Sequence, residues 1–337
     1  MTKDYLQPLK DHEEKGSSLQ NLPDVILGAG VFNYQYTDSP HDLAAVAVVR
    51  RAFELGIRAL DTSAYYGPSE IIIGYALEEL RHEYPRDSYM ICTKAGRVSV
   101  DEFDYSANHI RFSVERSLQR LKTSYLDVLY IHDVEFVTTD GCLEAITEAL
   151  KMKAEGLIRN VGISGYPVDY LLYLSKTVLS TLHVPLDVVL SYSNFCIQNT
   201  KLEKYQERFY QEAKVTKVLN ASPLSMSLLR SQTTHSFHPA PHELRTAVEK
   251  ASEYCSSRGV ELADIASRFA LRNWNGPTVF GLSNVAEVEQ AVRTYWQSKD
   301  VVSASRDEPL VEVVRKILGA TIDLTWPSGI EHPDMSP

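Results

Sequence analysis

Eight short apolar runs recur along the chain, and longer stretches with helical spacing of apolar residues separate them. The runs are apolar throughout and rich in Val, Ile and Leu, which is typical of parallel strands covered on both faces. We therefore predict eight buried strands, at residues 25–32, 57–60, 89–93, 126–131, 158–163, 186–190, 215–219 and 278–280.

The intervening segments carry apolar residues three or four positions apart, opposite charged ones, which is the pattern of amphipathic helices. In one of them Val114 and Leu118 share a face with Leu121, while Glu115 and Arg120 lie opposite. The clearest such helices are predicted at residues 43–55, 110–121, 142–153 and 261–272, with an additional helix near the carboxyl terminus at 310–318.

The spacing of the strands predicts the fold. Most strand ends follow one another at intervals of about thirty residues, the length of one strand–helix unit. Eight such units predict a (β/α)8 barrel of the TIM type. We assign it to residues 23–320, between a flexible segment at 1–22 and a tail at 321–337, and predict that residues 231–242 form a loop over the barrel mouth.

Composition and charge narrow the possible partners. Of 337 residues, 44% are hydrophobic and 23% charged, as in soluble globular proteins. The net charge of −10 argues against nucleic acid or an anionic membrane as the main partner. The first 22 residues, with the run Asp11 to Lys15, lack the apolar stretch of a secretory signal. Together with four widely spaced cysteines, this predicts a cytoplasmic protein with reduced thiols.

Ionisable side chains stand where three consecutive predicted strands end. Asp61, Lys94 and His132 occupy these positions, and Tyr66 follows Asp61 by five residues. Active sites of such barrels lie at the carboxyl ends of the strands, so the four side chains can meet in one pocket. Individually, Asp61 with Lys94 could be a structural ion pair, His132 a buried core histidine and Tyr66 a packing residue of its loop.

Taken together, the four residues predict a proton-transfer site. A free phenol has a pKa near 10, and a neighbouring ammonium stabilises its phenolate form. We expect Lys94 to lower the pKa of Tyr66 in this way, and Asp61 to hold Lys94 in place. His132 would orient the reacting oxygen of the substrate, and Tyr66 would act as general acid or base.

The same residues resemble the aldo-keto reductases. The likeness runs from about residue 23 to 296 and rests on the segments around Asp61–Glu70, Thr93–Lys94 and Leu126–Asp133. It implies that Asp61, Tyr66, Lys94 and His132 are the catalytic tetrad. Within the family, the sugar dehydrogenases are most similar, which implies NAD-dependent oxidation of an aldose such as D-arabinose or L-galactose at C1. An NADPH-dependent aldehyde or ketone reductase and a cofactor-binding regulatory subunit are the alternatives.

The resemblance also implies an extended nicotinamide dinucleotide across the barrel mouth, without a metal. By position, its contacts would come from Ser164, Ser191, Ser222, Pro223, Leu224, Ser225, Gly281, Ser283 and Glu287. Many relatives have an aromatic residue where this chain has Ala221, and asparagine where it has Gly165.

The charge of Glu287 indicates which of the two cofactors, NAD or NADP, the protein prefers. Its carboxylate would repel the 2′-phosphate of NADP and could accept hydrogen bonds from the ribose of NAD. Alternatively, Glu287 is only the third residue of a helix capped by Asn284. We expect NAD, with NADP possible but disfavoured, in a monomer or weak homo-oligomer.

Tyr65, Arg97 and Asp133 are candidate contacts for the sugar, from their positions in loops. Two other patterns carry less weight. Tyr295 and Lys299 have the spacing found in short-chain dehydrogenases, but no glycine-rich fingerprint accompanies them. His235, His238 and His242 share one segment, which we interpret as a polar loop and not as a metal site.

Overall fold

Eight parallel strands form a closed barrel in the computed structural model, which describes residues 4–9 and 18–335. Consecutive strands pair with one another, and the last pairs with the first. The strands are β1 (Val25–Gly28), β2 (Ala59–Asp61), β3 (Met90–Ala95), β4 (Leu126–His132), β5 (Ile158–Gly165), β6 (Val188–Tyr192), β7 (Lys217–Ala221) and β8 (Thr278–Gly281). The predicted (β/α)8 barrel is confirmed.

Helices surround the barrel and cover the outer face of its strands. In order they are α1 (Ala45–Glu54), α2 (Ser69–Leu80), α3 (Ala107–Arg120), α4 (Thr139–Ala154), α5 (Val168–Leu182), α6 (Lys201–Gln211), α7 (His242–Ser256), α8 (Leu262–Asn273), α9 (Val285–Ser298) and α10 (Val301–Leu318). Within the described ranges, none of the helices combines the length and the apolar character needed to cross a membrane.

The barrel interior is a separate apolar cluster. Alternate residues of the strands point inward, among them Ile26, Cys92 and Tyr130. Leu19 and Leu22, which precede β1, belong to the same cluster and are buried. The backbone N–H of Leu9 also donates to the carbonyl of Leu55 at 2.9 Å.

The described residues before position 23 therefore contact the barrel. The run Asp11 to Lys15 lies outside the described residues, and the domain boundary at residue 23 stays a prediction. All four cysteines are buried and free of disulfides.

Two element boundaries differ from the prediction by more than three residues. The first strand ends at Gly28 and not at residue 32, because the chain turns into a 3-10 helix at Ala29–Val31. At Gly28 a side chain would collide with the backbone of Phe280 in β8. The last helix begins at Val301, nine residues before the predicted start, and contains Pro309. Its early turns are held by Asp307, which is buried and accepts two hydrogen bonds from Arg268.

Candidate active site

Three of the predicted side chains point into the barrel, because side chains alternate between the two faces of a strand. Asp61, Lys94 and His132 each lie two residues beyond an inward-pointing apolar residue of β2, β3 or β4. Their side chains therefore point inward, one layer closer to the carboxyl end of the barrel. Together with Tyr66 they line one cavity of about 360 Å³. The structure thus brings together all four residues of the predicted tetrad.

Asp61 and Lys94 form an ion pair that is almost completely buried. The Nζ of Lys94 donates to Oδ1 of Asp61 at 2.5 Å and to the carbonyl of Thr62 at 2.7 Å. Burial favours the neutral amine, but Asp61 more than offsets this and raises the pKa of Lys94 above its usual value. Lys94 is therefore a fixed cation at the floor of the cavity.

Tyr66 reaches this pair from the loop after β2. The centroid of its ring lies 4.9 Å from Nζ of Lys94 and 5.7 Å from the centroid of the His132 ring. Gly30 packs against one face of the ring, where a Cβ would lie 3.4 Å from Cε2 of Tyr66. Gly67, with a φ of +53°, turns the chain directly after the tyrosine. The loop geometry places the phenol between the lysine and the histidine.

Lys94 acts on the pKa of Tyr66 in the predicted direction, but the net shift is the opposite of the expected one. Burial raises the pKa of the Tyr66 phenol to about 12, although Lys94 acts to lower it. Asp61 and Asp133 add to the increase, because their negative charges oppose a phenolate. The phenolate would lose its hydration in the cavity, and this cost outweighs the attraction of the Lys94 ammonium. Tyr66 is consequently a neutral phenol at neutral pH.

His132 is also neutral. Its Nδ1 lies 3.1 Å from Oγ of Ser63, which accepts the backbone N–H of Tyr65 at the same distance. Its Nε2 lies 3.6 Å from Oδ2 of Asp133, an acceptor, so we place the proton on Nε2 and let Nδ1 accept from the Ser63 hydroxyl. Burial lowers the pKa of His132 to about 3. The imidazole is therefore available as a neutral hydrogen-bond donor.

The three predicted sugar contacts line the same cavity, but they differ in what they can offer. Arg97 donates to Asp133 at 2.6 Å and to the carbonyls of Ser99 and Val100, so each nitrogen of its guanidinium already makes a hydrogen bond within the fold. It also lies 4.2 Å above the ring of Tyr65. Arg97 therefore fixes the side chains of Tyr65 and Asp133, which remain the candidates for direct contact.

The structure places only three of the nine predicted cofactor residues in the lining of the cavity. Ser164, Ser222 and Gly281 line the cavity. Ser191 is buried and its Oγ accepts from the side chain of Asn194 at 2.9 Å, so this hydroxyl is already used within the fold. The others do not line the cavity: Pro223, Leu224, Ser225, Ser283 and Glu287.

The Glu287 side chain makes the contacts of a helix cap. Its carboxylate accepts from the backbone N–H of Ser283 at 2.7 Å and from Oγ of Ser283 at 3.0 Å. The side chain of Asn284 accepts from the N–H of Glu287 at 2.9 Å, as the alternative interpretation requires. These contacts hold an exposed carboxylate at the amino end of α9, and they are compatible with a second role toward a ligand.

Two observations fit a nicotinamide dinucleotide. The Oγ of Ser164 is buried, lines the cavity and has no hydrogen-bond partner among the described residues. After β7, the backbone has positive φ at Ser222 and again at three consecutive residues, Ser225, Met226 and Ser227. Such strained backbone clusters at ligand sites, and turns that combine right- and left-handed residues form anion-binding concavities.

Several lining residues were not predicted as site residues. Tyr36 and Phe237 meet edge to face at 5.6 Å and join the loop after β1 to the loop after β7. Tyr192 is in register with Ala221, so an aromatic side chain lines the cavity one strand away from the expected position. Trp326 comes from the carboxyl-terminal segment. Of these residues, only Tyr192 could have been found from sequence. It follows Leu190, the last residue of a predicted strand, by two positions, so strand alternation places both side chains on the same face.

His238 is structural: its Nε2 hydrogen bonds to the carbonyl of Ser225 at 2.8 Å, and its Nδ1 accepts from the N–H of Ala240 at 3.0 Å. His235 lies 2.9 Å from the guanidinium of Arg230, and its ring stacks on Phe237. The residues up to Pro241 form the predicted loop over the mouth, and His242 begins α7.

Comparison with known proteins identifies the family. The model of the Aldo/keto reductase family matches residues 24–304. The chain belongs to the aldo-keto reductases. It is therefore an oxidoreductase, of a family that uses NAD or NADP.

The chain is 46% identical to D-arabinose 1-dehydrogenase of Saccharomyces cerevisiae over 325 residues, which is 94% of this chain and 97% of the yeast protein. It is 38% identical to L-galactose dehydrogenase of Arabidopsis thaliana, with 86% and 88% of the two chains covered. The solved structure of an aldo-keto reductase from Bacillus halodurans matches with a TM-score of 0.66 at 21% identity, over 90% of this chain and 96% of its own. That likeness supports the fold.

The neutral state of His132 predicts a pH-dependent loss of stability. Its pKa in the folded protein, about 3, lies below the value of about 6.5 in an unfolded chain, so the unfolded state binds the proton first as the pH falls. The stabilising contribution is complete above about pH 6.5 and declines below it. Between about pH 7 and pH 5, the unfolding free energy of wild type should fall by about 2 kcal/mol more than that of a His132→Gln variant.

Urea unfolding at about pH 7 and pH 5 measures this difference. A variant of the exposed His82, His82→Gln, serves as the control and should follow wild type. Parallel pH dependence of wild type and His132→Gln would show that the buried imidazole does not titrate as described.

Proposed function

We propose that this protein oxidises an aldose at C1 to the lactone, with NAD as hydride acceptor. The observation that carries the proposal is the convergence of Tyr66, Lys94 and His132 in one cavity, next to the Arg97–Asp133 pair. The family membership and the 46% identity to a D-arabinose 1-dehydrogenase support the sugar as substrate. D-Arabinose, L-galactose and sugars with related ring stereochemistry are the proposed substrates.

The residues of the chain divide the work as follows. His132 donates from Nε2 to the oxygen on C1 and sets the angle of the substrate. Tyr66, in the phenolate form that Lys94 stabilises, takes the hydroxyl proton of C1 as general base and becomes a neutral phenol, while the hydride leaves C1 for the nicotinamide. Asp133 accepts a hydrogen bond from a sugar hydroxyl. Asp61 keeps Lys94 protonated and in place.

The dinucleotide would be held by Ser164 near the carboxamide, by the segment Ser222 to Ser225 near the pyrophosphate, and by Gly281 to Glu287 near the adenosine. Ser191 acts indirectly, through Asn194. When bound in its oxidised form, NAD supplies the hydride acceptor and a positive charge at the nicotinamide ring. Such a charge lowers the pKa of a nearby phenol, which would bring Tyr66 closer to its basic form.

The reverse reaction is the second candidate. A phenol with a pKa of about 12 is a proton donor at neutral pH, which suits the reduction of an aldehyde or ketone by NADPH. The two directions use the same residues. The supply of substrate and the preference for a cofactor decide between them.

The test of the function is the absorbance of reduced nicotinamide. With NAD and D-arabinose or L-galactose the signal should grow, and kcat should rise with pH as Tyr66 loses its proton more easily. Net consumption of NADPH with simple aldehydes, and no reaction with sugars, would favour the reductase. Cofactor binding with no turnover in either assay would favour the regulatory subunit.

Replacing the phenol oxygen tests the general base. We expect Tyr66→Phe to lower kcat by about 100-fold to 10,000-fold, the usual contribution of a positioned acid or base, with the Kd of NAD nearly unchanged. Tyr34→Phe, at an exposed tyrosine, is the control. Wild-type turnover in Tyr66→Phe would exclude Tyr66 as the proton carrier.

Glu287 tests the choice of cofactor. The ratio of kcat/KM for NAD to that for NADP should fall at least about tenfold in Glu287→Gln and further in Glu287→Lys, because like charges about 4 Å apart near a protein surface cost a few kcal/mol. Glutamine keeps an oxygen for the N–H of Ser283, so the cap contact survives. An unchanged ratio in both variants would leave Glu287 with the role of a helix cap alone.

A further inference from the structure

Part of the carboxyl-terminal tail forms one wall of the cavity; from here on, the tail means its residues 325–332. Trp326, Pro327 and Ser328 line it opposite the strand ends of the barrel. The ring of Trp326 stacks on that of Tyr166, with 4.5 Å between the centroids. No strand or helix runs through these residues, so their position depends on individual contacts.

Most of those contacts converge on Glu135, which lies in the 3-10 helix just after β4. Ser328 donates from Oγ to Oε1 of Glu135 at 3.0 Å. The carbonyl of Glu135 accepts from the N–H of Ile330 at 2.9 Å and lies 3.0 Å from Nε2 of His332. Gly329, with a φ of +89°, packs so closely on the Glu135 backbone that a side chain there would collide with it. One residue therefore holds the tail through both its side chain and its backbone.

The carboxyl of Glu135 is itself inaccessible to water. Its exposed fraction is 0%. The backbone N–H of Tyr166 donates to Oε1 at 3.0 Å, while Oε2 has no hydrogen-bond partner among the described residues. Oε2 occupies the space that a side chain at position 165 would need, since a Cβ on Gly165 would collide with it. The glycine at this position thus makes room for the carboxyl.

A buried carboxylate with one unpartnered oxygen is costly, and the protonated acid, which carries no charge, costs much less. Burial, reinforced by Asp133, raises the pKa of Glu135 to about 8. The other titratable groups that act on it or are acted on by it are Tyr105, Tyr192, Cys142 and His332. The phenols and the thiol carry no positive charge in either protonation state, and His332 contacts the backbone carbonyl of Glu135.

We propose that Glu135 is a positioning residue, whose neutral carboxyl latches the tail to the barrel and so keeps Trp326 and Ser328 in place as the wall against which the sugar binds. The inference rests on the proposed function for the identity of the ligand. Glu135 acts on the substrate only through the tail. It takes no part in proton transfer at C1.

The sign of the pH dependence follows from this role. With the tail closed, the pKa of Glu135 is about 8, and with the tail open it returns toward its ordinary value near 4.3. The closed state binds the proton more tightly, so closure is strongest at low pH and weakens by up to about tenfold per pH unit until the closed-state pKa is passed. Opening the tail at alkaline pH admits water to the carboxylate.

The decisive comparison is wild type against Glu135→Gln. We expect the KM for the aldose in wild type to rise about tenfold or more between about pH 6.5 and pH 9 at saturating NAD. Glu135→Gln mimics the protonated acid and should keep a low KM across this range. The rise of kcat with pH, which comes from Tyr66, should be the same in both. Glu331→Gln, an exposed acid in the same tail, is the control and should behave as wild type.

Two further variants remove the latch at every pH. Glu135→Ala deletes the carboxyl, and Gly165→Ala forces it out of its space. Both should raise the KM for the aldose at all pH values and speed hydrogen exchange of residues 325–332. Glu135→Ala should also leave the Kd of NAD unchanged. Thermal unfolding of each variant confirms that the barrel is intact.

The latch is refuted if wild type and Glu135→Gln share one pH profile of KM, or if Glu135→Ala leaves tail exchange at the wild-type rate. Hydrogen exchange keeps this test separate from the proposed function. If no aldose is oxidised, the exchange of the tail at neutral and alkaline pH still decides whether Glu135 holds it. If the latch fails while aldoses are oxidised, the proposed function stands.

Discussion

The buried ion pair of Lys94 and Asp61 is the interaction on which the site depends. A lone ammonium in the barrel interior would lose its proton, because nothing would replace its hydration. Asp61, on the neighbouring strand, keeps it charged at a distance of 2.5 Å. Removing Lys94 would leave a buried carboxylate without a compensating charge. Removing Asp61 would leave a lysine that gives up its proton, so the site would lose its cation. The closed barrel fixes the strands that carry the two residues, and so fixes the one cation at the floor of the described cavity.

The groups above that cation are neutral. Tyr66 and His132 are both held in their uncharged forms by burial, which raises the pKa of the one and lowers that of the other. Lys94 and the N–H of His132 can stabilise negative charge on a reacting oxygen, although burial, Asp61 and Asp133 oppose a phenolate at Tyr66 itself. This arrangement suits proton transfer coupled to the loss or gain of a hydride, and the same groups serve oxidation and reduction.

The cavity itself is assembled from distant parts of the chain. The strand ends give its floor, the loops after β1 and β7 meet through Tyr36 and Phe237, and the tail closes the side near Trp326. Sequence patterns described the floor well, because β-strand alternation and strand order determine where a side chain at a strand end must lie. They described the walls poorly, since loops and the tail have no period. The residues around Trp326 gave no sign that Glu135, nearly two hundred residues earlier, holds them.

The amino-acid sequence by itself determined the barrel and where the side chains at its strand ends meet. Eight apolar runs at regular spacing leave little choice of topology, and residues Asp61, Lys94 and His132 at consecutive strand ends must converge once the sheet closes. Only the tertiary structure decided the protonation state of Tyr66, the engagement of Ser191 by Asn194, the end of the first strand at Gly28 and the burial of Glu135 beneath the tail. Each of these depends on how much water reaches a group and which atoms surround it, and those quantities are set by packing across the molecule and not by neighbours along the chain.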